Sequence, residues 1–404
     1  MSTNFGKIEN IIEAKFRIVT PMFLGGADQQ ADEIRPSSVK GMLRFWWRAL
    51  NWSRYRDATD ASALSKLHDE EARLFGRAAN DKTGGQGVFL LSVVPSDPKK
   101  FVQGEVHPDL TSEGMAAARY LGYGLMAAFG SKVKGTKAAQ LDRDCIKHDQ
   151  IFTIKLKFRN QPDVSIINAI KTLGLLGGMG SRSRHGYGSL ALQEIKNDGK
   201  VIWAMPTSAE AYQAEIKNLF SDRSLATQQP PFSAFSAQAR IDILNQDKNV
   251  FAVLNNFGKA MLMYRSAGQK WVVLTKPSEK RFIADHNWYR EKKEKDFHPR
   301  RVVFGLPHNY DSKNKSHQVN AEKHERRASP LLFHVHQVGT QFIGVSVLLY
   351  SEFLPSSEKI NAGGNMVKQK IEWDVLTNFI TGKVGNSPAF DAPLRFPDSR
   401  KISL

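Results

Sequence analysis

Between residues 37 and 50 the apolar side chains fall at Val39, Met42, Leu43, Trp46, Trp47 and Leu50. Only an α-helix puts an i, i+3, i+4, i+7 series of this kind on one face. Ser37 or Ser38 is placed to cap its N-terminus. Immediately upstream, residues 11–20 alternate apolar Ile12, Ala14, Phe16 and Ile18 with polar Glu13, Lys15 and Arg17, the period of a half-buried strand. Pro21 limits that strand, and Gly25-Gly26 together with Pro36 make residues 24–36 a loop. Similar patterns predict a helix over 64–78, a buried strand over 86–94, a helix over 114–129, an alternating strand over 151–158 and a helix over 164–176. Strands separated by helices predict mixed α and β layers and exclude a bundle or a sandwich.

A chain of 404 residues has the length of two or three domains. Residues 221–236 carry Gln-Gln-Pro-Pro and several serines, so a junction is expected there, with one domain over 1–220 and a second over 221–404. In the second, strand-like runs occur at 270–274, 301–304, 331–338 and 342–350. Residues 281–327 are rich in charge, and the run Glu291–Lys295 and residues 311–320 lack apolar periodicity. Part of this stretch is expected to be mobile until something binds.

The 57 Lys and Arg outnumber the 40 Asp and Glu, leaving a formal charge of +17. With no apolar stretch approaching the roughly 20 residues that span a bilayer, the excess calls for a soluble polyanion, and nucleic acid is the commonest. A membrane surface and a merely solvated basic face are the alternatives. A single cysteine, Cys145, excludes an intramolecular disulfide, and residues 1–10 lack a signal-peptide pattern, so a cytoplasmic protein without a membrane partner is expected.

Two basic constellations stand out. Lys40, Arg44 and Arg48 are spaced i, i+4, i+8 along the polar side of the first helix. Like charges so placed repel, and an anion seated on the row removes the conflict. The helix N-terminus adds free N–H groups beside Ser37, Ser38 and Lys40, and Arg35 approaches the same point. Pairing with acids elsewhere in the fold is the alternative. The second constellation is residues 176–190, where five glycines frame Arg182, Arg184, His185 and Tyr187. Glycines permit left-handed backbone and close approach to a ligand. The loop lacks both the Walker A ending and a GxGxxG pattern, so phosphate gripping by the arginines and stacking by Tyr187 is the expectation.

The order strand, Gly-Gly-Ala-Asp, then Ile34 through Arg48 with its Arg-Phe-Trp-Trp-Arg core, followed by the glycine-rich loop, resembles the RAMP superfamily of CRISPR proteins. Within it, that helix and Arg326-Arg327-Ala328-Ser329-Pro330-Leu331 are similar to the first-numbered RAMP subunits of type III-B (Cmr) effector complexes. The resemblance implies an α+β chain of two ferredoxin-like, RNA-recognition-motif-like domains. It implies binding of guide and target RNA near the guide 3′ end, other Cmr subunits including RAMP backbone subunits as partners, and a role in antiviral defence. Carried over by position, Ser37, Ser38, Lys40 and Arg44 hold RNA backbone, and Arg182, Arg184 and His185 line its channel. Arg35 and Arg48 are added on geometry, and Arg300, Arg301, Arg326 and Arg327 are assigned in the second domain.

No cofactor and no resident metal are expected. An endoribonuclease is the rival reading, because Asp28 and Asp32 occupy the loop where related backbone subunits carry a cleaving Asp, and His185 is a candidate acid or base. A scaffold for acidic protein partners is a third reading. His334 and His336 share a strand face without a third ligand nearby in sequence, so a structural or RNA-facing pair is expected there. Cys145 reads as an inert thiol.

Overall fold

The computed structural model describes residues 10–25, 31, 33–56, 62–78, 85–97, 107–127, 137–266, 272–291, 297–309, 318–384 and 394–404. The first half comprises β1 (Ile11–Ile18), α1 (Pro36–Tyr55), α2 (Ser62–Phe75), β2 (Phe89–Pro95), β3 (Ile151–Phe158), α3 (Val164–Leu176), β4 (Leu190–Asn197), β5 (Lys200–Ala204) and α4 (Ala209–Asn218). The strands form one antiparallel sheet in the order β2-β3-β1-β4-β5. With α1 and α3 as its crossovers, this is the βαββαβ ferredoxin-like arrangement extended by one hairpin strand.

The second half repeats it with β6 (Arg240–Asp247), α5 (Val250–Arg265), β7 (Leu331–Val338), β8 (Gln341–Leu348), α6 (Asp374–Thr381) and β9 (Arg400–Ile402). Their sheet runs β7-β8-β6-β9, again antiparallel. The expected α+β fold with two ferredoxin-like units is the one observed.

The two sheets are buried differently, and their sequences say why. β1 alternates, so Ile12, Ala14, Phe16 and Ile18 face the helices while Glu13, Lys15 and Arg17 face outward. β7 and β8 are nearly continuous apolar runs, as strands covered on both faces must be. One face of the second sheet, with Phe333 and Val335, packs on α5 and α6. The other, with Leu332, Val345 and Val347, joins the core of α1, α3 and the first sheet.

α1 starts one residue earlier than expected. Pro36 is its first residue and Arg35 is the extended cap without a side-chain bond, so neither Ser37 nor Ser38 caps it. Proline suits that place because its missing N–H would have had no helical partner. Residues 221–236 form no helix or strand, but they are not a free tether: Phe235 stacks on Trp46 at 6.3 Å and Phe232 meets Trp52 edge-on at 5.4 Å.

Three expectations of secondary structure are corrected. The helix over 114–129 shrinks to Ala116–Leu121 behind a short 3-10 turn, because Gly122 and Gly124 end it. Residues 301–304 belong to a 3-10 helix, Arg300–Phe304, whose first N–H groups bond the buried Asp285 carboxylate. Only Val272–Val273 of the 270–274 run is strand among the described residues. The described parts of 281–327 hold a helix, Ile283–Glu291, and short strands. Residues 292–296 and 310–317, which include most of the charge run, lie outside the described residues.

Candidate nucleic-acid interface

The basic row of α1 is largely neutralised. Glu71, 6% exposed on α2, accepts from Arg48 at 2.6 Å and lies 3.4 Å from Arg44. Arg44 also donates to the Gly76 carbonyl and lies over the Phe75 ring. The pairing alternative holds for these two arginines. Lys40 pairs with no carboxylate among the described residues: its ammonium lies 5.9 Å over the Phe89 ring, and burial followed by the Arg44 charge lowers its pKa. Ser37 is exposed and Ser38 half-buried beside it, while Arg35 donates to the Gly25 carbonyl at 2.9 Å.

The glycine-rich loop does something the sequence did not suggest. Its glycines bring backbone against the protein's own backbone: a Cβ on Gly188, at φ +61°, would sit 2.0 Å from the Met179 carbonyl oxygen. One on Gly186, at φ +89°, would strike Leu254 and Phe333 at 2.7 Å. The loop thereby docks on β7, an edge strand of the second sheet. The Phe333 N–H donates to the Arg184 carbonyl at 2.9 Å, and the Val335 N–H to Ser189 Oγ at 3.1 Å. These bonds occupy outward-facing donors of an edge that would otherwise be open.

Docking places the loop's side chains. Tyr187 is fully buried, its hydroxyl donating to the Ala118 carbonyl at 2.9 Å and its ring edge-on to Phe23, so it cannot stack on a base. Burial pushes its hydroxyl pKa upward. Partly buried His185 turns Nδ1 toward the Leu121 carbonyl at 3.2 Å. Burial, then Arg182 and Arg265, pushes its pKa down to about 4, so it is neutral at pH 7.

Arg184 donates to the Ser329 carbonyl and lies 5.4 Å over the Phe45 ring; burial and then the Arg327 charge lower its pKa to about 10. Arg327 bonds Ser351 Oγ at 2.7 Å and the Glu352 carbonyl at 3.2 Å. Arg182, in the left-handed region at φ +61°, donates to the Tyr123 carbonyl at 2.9 and 2.6 Å. Arg326 is exposed and close enough to Arg182 to depress its pKa, behind burial.

Arg182, Arg184, Arg326 and Arg327 therefore gather at the seam between the two sheets. Among the described residues, no carboxylate forms an ion pair with any of them. Arg300 and Arg301 do not join them. Arg300 pairs with Glu372 at 2.7 Å, and Arg301, largely buried, meets Asp285 at 3.4 Å. Asp28 and Asp32 lie outside the described residues.

Next to the loop, a cleft of about 340 Å³ is lined by Phe23, Leu24, Gly25, Gly180, Ser181 and the missed pair Arg143 and Asp144. No group of three His, Cys, Asp or Glu side chains among the described residues is arranged to hold a metal. His334 and His336 are buried 3.3 Å apart, with Tyr212 against His336 at a ring separation of 4.7 Å, so they do not face RNA. Burial pushes the His336 pKa down to about 3. Cys145 is buried. No helix among the described residues is long and apolar enough to cross a membrane.

Residues 15–191 match the family model of the RAMP superfamily. The chain is similar to two CRISPR system Cmr subunits of Pyrococcus furiosus. It is 25% identical to Cmr1-2 over 183 residues, covering 44% of this chain and 92% of the relative. To Cmr1-1 it is 24% identical over 368 residues, covering 86% and 87%. Its fold matches the crystal structure of Pyrococcus furiosus Cmr1 with a TM-score of 0.56 and 18% identity, over 97% of this chain and 98% of the other. A chain of the type III-B Cmr-beta complex bound to cognate target RNA matches with a TM-score of 0.50 and 11% identity, over 92% and 98%.

Proposed function

We propose that this chain is a non-catalytic, RNA-binding subunit of a type III-B CRISPR ribonucleoprotein, holding guide or target RNA near the guide 3′ end. The carrying observation is the arginine cluster at the seam: Arg182, Arg184 and Arg327 bond carbonyls or a hydroxyl, Arg326 and Arg327 act on Arg182 and Arg184 through their charge, and no described carboxylate is paired to any of the four. A polyanion relieves that repulsion. The similarity to Cmr subunits, and to a chain from a complex bound to cognate target RNA, supports RNA as the polyanion and other Cmr subunits, including RAMP backbone subunits, as partners. Phosphate contacts from arginine fix position and leave base identity to guide–target pairing.

Catalysis by His185 is disfavoured by its environment. A neutral ring bound to a main-chain carbonyl, with only arginine charges around it, is a poor proton donor at neutral pH. The test is binding of short single-stranded RNA by the Arg182→Glu/Arg326→Glu double variant. Affinity should fall at least tenfold at low salt, for all sequences alike. The slope of log affinity against log salt should flatten by about 0.7 for each phosphate no longer engaged. Wild-type affinity at every salt concentration would remove the cluster from the binding surface.

A further inference from the structure

Buried aromatics fill both cores, but Tyr123 is 63% exposed, and no other Phe, Trp or Tyr whose side chain is described is exposed. It stands at the tip of the turn that ends helix Ala116–Leu121. That tip is held on both sides. The Tyr123 N–H donates to the Tyr120 carbonyl at 3.0 Å, the Leu125 N–H closes onto the Gly122 carbonyl at 2.8 Å, and Leu125 and Met126 are buried behind it. Gly122 packs on the Tyr187 ring, and Gly124 takes the left-handed turn at φ +82°. The anchored neighbours leave the ring at position 123 facing solvent.

The ring is also tied to charge. Arg182 donates two hydrogen bonds to the Tyr123 main-chain carbonyl, which fixes the guanidinium beside the aromatic residue. Arg326, exposed, adds a second positive charge near Arg182. An exposed aromatic next to two unneutralised guanidinium groups matches the two chemical parts of a nucleotide: a base with a π-face and a phosphate. An acidic peptide needs the charges and not the ring.

We propose that Tyr123 is a stacking platform for one unpaired base of bound RNA, with Arg182 and Arg326 engaging the adjoining phosphate. The proposal rests on the RNA-binding reading above and adds the subsite at which the strand leaves pure backbone contact. Any base is accepted, because each has a π-face.

The experiment uses the full chain and short single-stranded RNA, compared with an RNA of equal length carrying abasic positions. Tyr123→Ala should weaken binding of the intact RNA about tenfold and leave the salt slope unchanged, since no charge is removed. Tyr123→Trp should restore binding, and Tyr123→Ala should change binding of the abasic RNA little. Arg326→Glu should weaken both RNAs and flatten the salt slope. If Tyr123→Ala binds as wild type while Arg326→Glu is impaired, the platform is wrong and the RNA-binding reading stands. If neither variant is impaired, both fail at this surface. Unchanged RNA binding by Tyr123→Ala with loss of co-purifying subunits would instead make the ring a protein contact and overturn the proposal.

Discussion

At the scale of single residues, the same residue type meets opposite fates, and the deciding factor is whether a carboxylate is in reach. Arg48 and Arg182 both read as phosphate contacts, yet Arg48 ends on Glu71 and Arg182 on a carbonyl. A guanidinium on a carbonyl keeps its full charge and donors to spare. One on a carboxylate has its field largely cancelled. Glu71→Ala should therefore destabilise the protein by about 1–2 kcal/mol, the modest end for a pair whose arginines remain partly exposed. The same change should raise RNA affinity at low salt by unmasking two cations on α1. Urea denaturation and RNA anisotropy on one preparation check both; a loss of affinity would show that the α1 face already holds RNA through its paired state.

At the scale of elements, the glycine-rich loop is a fastener as much as a binding segment. Its close backbone contacts hold the first half against β7, and the arginines are presented because the loop is docked. Gly188→Ala should cost about 3 kcal/mol or more, since the added carbon meets a carbonyl in a left-handed turn. Gly199→Ala, at φ +81° but with open space around it, should cost only about 1 kcal/mol. Equal melting temperatures for the two variants would show that contact with Met179 does not constrain the loop. Elsewhere the second unit uses its own devices, such as the Asp285 carboxylate that receives the first N–H groups of the Arg300–Phe304 turn.

At the scale of the whole molecule, burying histidines at the seam ties stability to pH. His185 and His336 are held at about 4 and about 3 in the fold, against about 6.5 in an unfolded chain. Because the unfolded state takes up protons first, stability should be flat above pH 7 and fall as the pH drops through 6.5. The decline should stop contributing near pH 3–4, where the folded histidines also protonate. Each should account for about 1–2 kcal/mol by pH 5. Denaturation between pH 7.5 and 5, where ordinary carboxylates titrate little, reads the histidines together, since burial also lowers the pKa of His148, His298, His308 and His334, and His336→Gln should reduce the slope. An unchanged slope in that variant would place the pH dependence elsewhere.

How much of this was legible in the sequence follows from the range over which each signal acts. Period-2 alternation in β1 and the aromatic stripe of α1 depend on neighbours a few positions away, and both elements formed as read. The motif order from Gly25 to Gly188 carries the RAMP resemblance for the same reason: local backbone demands leave local residues. Tyr123 was half visible as an aromatic between two glycines, but a helical reading of 114–129 hid it. Charge alone could not separate Arg182 and Arg326 from Arg48 and Arg301. Their acids, Glu71 and Asp285, sit on other elements, and a Coulomb partner is set by distance in space, which chain spacing does not encode. The burial of Tyr187 was equally invisible, because it depends on a loop meeting a strand 146 positions away. Short-range patterning was enough to set the principal elements of the first half, strands β7 and β8 of the second, and the basic character. Which basic and aromatic side chains stay available was settled in three dimensions, since packing alone brings the neutralising groups or keeps them away.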